Sequence, residues 1–189
     1  MGCIEKDMKD LLRHDCEAAK KAGFKPYLLI AKWNQVTDWY TVGTPIQGMS
    51  DNEVAVTTSG NITLKAGKSF HRIEAMEKGM IKMNTKKNGN VFETELKIRC
   101  QNTDDVRGWT VNRTGERLVI LSFELENEPP IILGSKDFYA EIKKDGADIE
   151  FGEKFTDDKF TDITFTYDPI MPYRYKGTID EVEDAVVVP

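Results

Sequence analysis

Residues 88–100 constrain the fold more than any other stretch. Phe92, Thr94, Leu96, Ile98 and Cys100 alternate with Glu93, Glu95, Lys97 and Arg99. Successive side chains of an extended strand point to opposite faces, so this pattern makes one apolar side and one charged side. Such a strand belongs to an antiparallel sheet with one face solvated. Just upstream, Asn88-Gly89 tolerates the positive φ of a type I′ turn. Met80-Ile81-Lys82-Met83 then reads as the hairpin's other arm, with its apolar residues exposed.

Short strands fill most of the remaining chain. Tyr27 to Ala31 is a continuous apolar run suited to a buried strand, and Trp39 to Val42 follows. Residues 43–53, rich in Gly, Pro, Ser, Asp and Asn, read as a long loop. Val54 to Thr57, Ile62 to Ala66, Leu118 to Leu125 and Ile131 to Leu133 read as further strands. So do Phe138 to Ile142, Ile149 to Phe151 and Ile163 to Tyr167. Period two along these segments predicts a core of Phe92, Leu96, Ile98, Val119, Leu121, Phe123, Leu125, Ile163 and Phe165.

Two helices are predicted. Ile4, Met8, Leu11, Leu12, Cys16 and Ala19 recur at helical spacing, making 4–22 an amphipathic helix that covers a sheet. Thr103-Asp104-Asp105 reads as an N-cap with acids in the first turn, and Gly115 closes that helix. The fold class is therefore α+β and mainly antiparallel β, a sandwich or rolled barrel with one or two flanking helices. Residues 1–175 read as one domain and 176–189 as an acidic, loosely held tail.

Composition narrows the function. At 189 residues, with 40% hydrophobic and 31% charged, the chain suits one well-cored domain. No apolar run approaches the ~20 residues of a membrane-spanning helix. Met1 to Asp7 lacks an apolar h-region, so export by a signal peptide is not expected. Cys3, Cys16 and Cys100 form neither a CxxC pair nor a disulfide framework. The net charge of −6 is unevenly spread: 60–100 carries 9 basic and 4 acidic residues, whereas 141–189 carries 6 basic and 13 acidic. An acidic chain of this kind is poorly suited to wrapping DNA phosphates, yet its two charged regions suit contact between copies.

Each familiar chemistry lacks its residues. His14 and Cys16 stand about 200° apart on a helix and cannot share a tetrahedral metal. The sequence contains no GxSxG, GxGxxG or GxxxxGK[ST] motif. Its two histidines give a Ser-His-Asp set little to draw on. Asp157, Asp158 and Asp162 lack a calcium-loop frame and read as solvated turns. No catalytic residue, cofactor or metal site is expected, and the chain reads as a non-enzyme.

The order of segments over 91–175 carries a resemblance. An alternating strand from Phe92 to Cys100 leads into the helix from Thr103 to Thr114 and Gly115. The strand Leu118 to Leu125, a polar break, Ile131-Ile132-Leu133-Gly134 and a closing strand from Phe160 to Tyr167 follow. This stretch resembles the major tail-tube proteins of tailed bacteriophages and the related tubes of contractile injection systems. The helix at 4–22 departs from that family, whose main helix comes later in the chain.

The resemblance implies a subunit that assembles with copies of itself into rings and a tube. It also implies contact with other tail proteins, and DNA only as passing cargo. Assembly would then occur in the host cytoplasm, and the product would sit in the virion tail. Candidate subunit contacts are the hairpin residues Met80, Ile81, Lys82, Met83, Lys86 and Lys87. A second set is the C-terminal run Val186, Val187 and Val188, β-branched residues suited to adding a strand to a neighbour's edge. The alternative is a small-ligand-binding β-module whose tyrosines and tryptophans line a pocket.

Overall fold

The computed structural model describes residues 23–42, 58–76, 81–89, 91–101, 104–125, 129–150, 160–168, 170 and 172–179, with the backbone alone over 144–150. The helix expected at 4–22, the loop 43–53, the strand 54–57, Met80 and the run Val186 to Val188 lie outside the described residues.

Thirteen strands and one α-helix are described. They are β1 (Phe24–Lys32), β2 (Val36–Asp38), β3 (Thr41–Val42), β4 (Thr58–Ser59), β5 (Thr63–Leu64), β6 (His71–Glu74) and β7 (Ile81–Asn88). β8 (Val91–Gln101), α1 (Asp104–Arg113), β9 (Leu118–Glu124), β10 (Ile131–Leu133), β11 (Ala140–Glu150), β12 (Phe160–Tyr167) and β13 (Tyr173–Arg174) follow. Nine strands form one antiparallel sheet in the order β13-β10-β9-β11-β12-β8-β7, with β1 beside β9 and β6 beside β1. β2 pairs with β5 and β3 with β4 in two small ribbons. The α+β, mainly antiparallel class is as the sequence predicts.

The sheet rolls around its own apolar face without closing into a barrel. Leu28 and Ile30 of β1, Leu118 and Ile120 of β9, Leu96 and Ile98 of β8, and Ile163 and Phe165 of β12 meet in one core. The opposite face of β1 and β9 carries a second core: Leu29, Ala31, Val119 and Leu121 pack with Tyr40, Ile62, Phe70 and Tyr175. Burial on both faces removes the reason for alternation, so β1 and β9 read as continuous apolar runs. At the open seam the Met76 amide donates to the Arg99 carbonyl at 2.9 Å.

Several expectations shift. Leu125 was expected in the core but is 40% exposed, because β9 stops at Glu124. Phe92 and Phe123 are only half-buried. Ile81, expected to be exposed, is 4% exposed and packs in the first core opposite Ile98. The hairpin turns one residue later than predicted: Asn88 pairs with Val91, so Gly89, at φ 60°, opens the two-residue loop. The two strands expected at 138–142 and 149–151 are joined over Ala140–Glu150 as one strand, β11, with a register shift between Ile142 and Ala147, and Phe151 lies outside the described residues. Residues 176–179, read as the start of a loose tail, are pinned. The Lys176 amide donates to Thr58 Oγ1 at 3.2 Å, and the Thr178 amide donates to Asn61 Oδ1 at 2.9 Å.

Candidate functional site

β7 ends the sheet and, among the described residues, pairs only with β8. The parity that sends Ile81 into the core sends Lys82, Asn84 and Lys86 to the solvated face. Lys87, on the inner parity but beyond the core, lies 6.0 Å from the Phe92 ring centroid. Met83 is half-buried against the first core. Of the hairpin residues expected to contact a neighbour, Lys82, Lys86 and Lys87 are thus exposed on an edge. Lys82 stands opposite Lys97, and Lys86 opposite Glu93. The hydrogen bond from Lys143 at 2.7 Å holds the Glu95 carboxyl below its ordinary range.

Behind this edge an ion cluster braces the outer face. Asp162 accepts two hydrogen bonds from Arg99, at 2.7 and 2.9 Å, and pairs with Lys97 Nζ at 2.7 Å. The guanidinium also stacks on Phe160, 3.7 Å from its centroid. Burial alone would raise the Asp162 carboxyl. The bonds from Arg99 and Lys97 outweigh it and hold the group below its usual value. At the end of β12, Asp137, Glu141, Thr166 and Asp168 border a small recess of about 220 Å³. Burial and the nearby Glu93 and Glu95 raise the Asp168 carboxyl, although it accepts the Thr94 amide at 3.3 Å.

Of the tyrosines and tryptophans expected to line a pocket, Tyr173, Tyr175, Trp33 and Trp39 pack with Tyr40 in or against the second core, whereas Trp109 borders a cleft. Tyr40 stacks edge-on against Tyr173 and Tyr175 at 6.3 and 6.0 Å, and Trp33 lies 5.8 Å from Trp39. Three of them spend their polar atoms on the fold. Tyr40 Oη donates to the Gly134 carbonyl and Trp33 Nε1 to the Ser135 carbonyl, both at 2.7 Å. Tyr175 Oη accepts the Ile62 amide at 2.8 Å and donates to the Thr178 carbonyl at 2.9 Å. Burial pushes the Tyr40 phenol well above its ordinary value.

A cavity opens elsewhere, between α1 and the β1–β6 pair, with a volume of about 750 Å³. Its floor is Ile30, Leu118 and Ile163, and α1 supplies Val106 and Trp109 as a wall. At one end Lys32 and Arg113 share the Glu116 carboxylate at 2.8 to 3.0 Å. Burial would raise Glu116, but these two hydrogen bonds keep it below its usual range. Lys68, His71 and Arg72 line it from β6 and the segment before it, and His71 pairs opposite Ile30, two residues from Lys32. Sequence reasoning found Trp109 on its helix but missed the cleft, since its walls come from segments far apart in the chain.

Among the described residues, no three His, Cys, Asp or Glu side chains converge as a metal site. No described helix is long and apolar enough to cross a membrane. Compared with models of protein families, with curated proteins and with solved structures, the chain matches none.

Proposed function

We propose that this chain is a structural subunit of the phage tail-tube type, which assembles with copies of itself into rings or a tube. The observation that carries the reading is the outer edge of β7: eight residues, unpaired among the described residues, with Lys82 and Lys86 facing solvent. An open edge is a template for another strand, and lysines on it repel a second copy of the same edge. Pairing is thereby steered toward a different, acidic surface of the neighbour. A head-to-tail contact of that kind closes into rings or continues as a stack. The chain carries such acids in 141–189, including Glu141 and Asp168 beside the small recess.

In this reading Lys82, Lys86 and Lys87 steer and orient the contact, and a strand from the neighbour, Val186 to Val188 included, supplies its backbone hydrogen bonds. Other tail proteins would cap the assembly, DNA would pass through it unread, and the product would sit in the virion tail. Negative-stain electron microscopy of the purified chain at rising concentration tests the proposal. Rings or stacked tubes are expected. Isolated single particles at every concentration would overturn it.

A further inference from the structure

We propose that the cleft between α1 and the β1–β6 pair binds a small amphipathic anion, an apolar chain or ring bearing one carboxylate-like head. Three features of the cleft support this.

The first is size: about 750 Å³ lies within the range of small-molecule sites, roughly 300–1,000 Å³. The second is the apolar surface. Trp109 and Val106 on α1 and Ile73 on β6 are half-buried, so each still presents apolar area to the cleft above its closed floor. A ring or chain laid there would remove that area from water.

The third is the placement of charge. The cations at the α1 end, Lys32 and Arg113, are already committed to Glu116. Arg72 stacks on Tyr27 at 3.9 Å and lies 3.7 Å from Glu74. Lys68 and His71 are exposed at the rim, and neither makes a side-chain ion pair among the described residues. They are the groups free to take an anionic head while the tail lies toward Trp109. Asp105, in the first turn of α1 on the helix wall, disfavours a head on its own side of the cleft and so sets one orientation. The same arrangement gives a neutral alcohol no charged partner. The inference concerns the folded subunit and does not depend on self-assembly.

The test uses the full chain and sodium decanoate, read by the three tryptophan indole N–H signals in a proton–nitrogen correlation spectrum, with Trp109→Phe identifying its own signal by loss. Decanoate should move the Trp109 signal saturably, one site per chain, and leave those of Trp33 and Trp39 in place. The combined Lys68→Glu and His71→Glu variant should weaken binding roughly fivefold or more. Both positions are exposed, and an unchanged melting temperature confirms an intact fold. Decanol should bind more weakly than decanoate. A Trp109 signal unmoved by millimolar decanoate would overturn the proposal. So would equal movement of all three indoles, or binding indifferent to the Lys68→Glu and His71→Glu changes.

Discussion

Replacing Asp162 with Asn keeps the side chain's size and removes its charge. The carboxylate is 6% exposed, whereas Arg99 and Lys97 are 35% and 46% exposed. In a pair buried at both ends, losing one partner costs about 3–5 kcal/mol, because the other is left charged and dry. Here the two cations can turn to water, so that penalty is largely avoided. What remains is the loss of two charge-assisted hydrogen bonds from Arg99 and one from Lys97, partly regained by the amide oxygen. A cost of about 1.5–3 kcal/mol follows. Urea unfolding at pH 7 measures it, and an unchanged m-value shows that the folded and unfolded states are still the same two.

The pH dependence has a definite sign. The folded-state pKa of Asp162 is depressed, so the charge contributes fully above the unfolded carboxyl value of about 3.9 and fades as pH falls through the lower folded value. The gap between the native chain and Asp162→Asn should therefore narrow on acidification below pH 4. A loss under about 0.5 kcal/mol at pH 7, or a gap that widens in acid, would refute the reasoning.

Phe165→Ala, at a position with no exposure, should cost about 3–5 kcal/mol by the same denaturation. Phe123→Ala should cost only about 1–2 kcal/mol, since Phe123 is half-buried against Tyr27 at 5.2 Å. Gly177→Ala should lower the melting temperature and loosen the C-terminal segment. An added Cβ would lie 2.3 Å from Tyr175 Oη and 2.6 Å from the Gly60 carbonyl oxygen, and backbone cannot step aside cheaply. Limited proteolysis within 173–179 would report the loosening. Burial, aided by the Asp162 carboxylate, pushes the Cys100 thiol up to about 12. Site-resolved mass spectrometry should find Cys100 unmodified by iodoacetamide in the native chain and modified in urea.

Elements governed by local periodicity were legible in the sequence. β8 alternates because one face is dry and the other wet, and its buried residues Leu96, Ile98 and Cys100 fall where the pattern puts them. β1 was legible as a buried strand, although not as one shared between two cores. Elements governed by a partner were not legible. The strands expected at 138–142 and 149–151 were separate, yet β11 runs across the gap between them, paired with β12 on both sides of a register shift. β6 has no apolar alternation and is a strand because β1 offers it an edge from Tyr27 to Ile30. Leu125 was misplaced by extending period two beyond the strand's end. Ile81 was misplaced because its burial depends on pairing with Ile98. The hairpin lysines were visible directly. The cleft, built from β1, β6 and α1, leaves no mark on any one segment.

Light scattering during self-association, at low and high salt, tests the assembly reading most directly. The native chain should grow into particles of ring mass or larger, more slowly at 1 M salt, where charges are screened beyond about 3 Å, than at 0.1 M, where they act over about 10 Å. Reversal of Lys82, Lys86 and Lys87 to Glu should slow growth at low salt and remove most of the salt dependence. A chain that stays monomeric, or one that assembles at the same rate with the lysines reversed, would contradict the basic edge as the assembling surface.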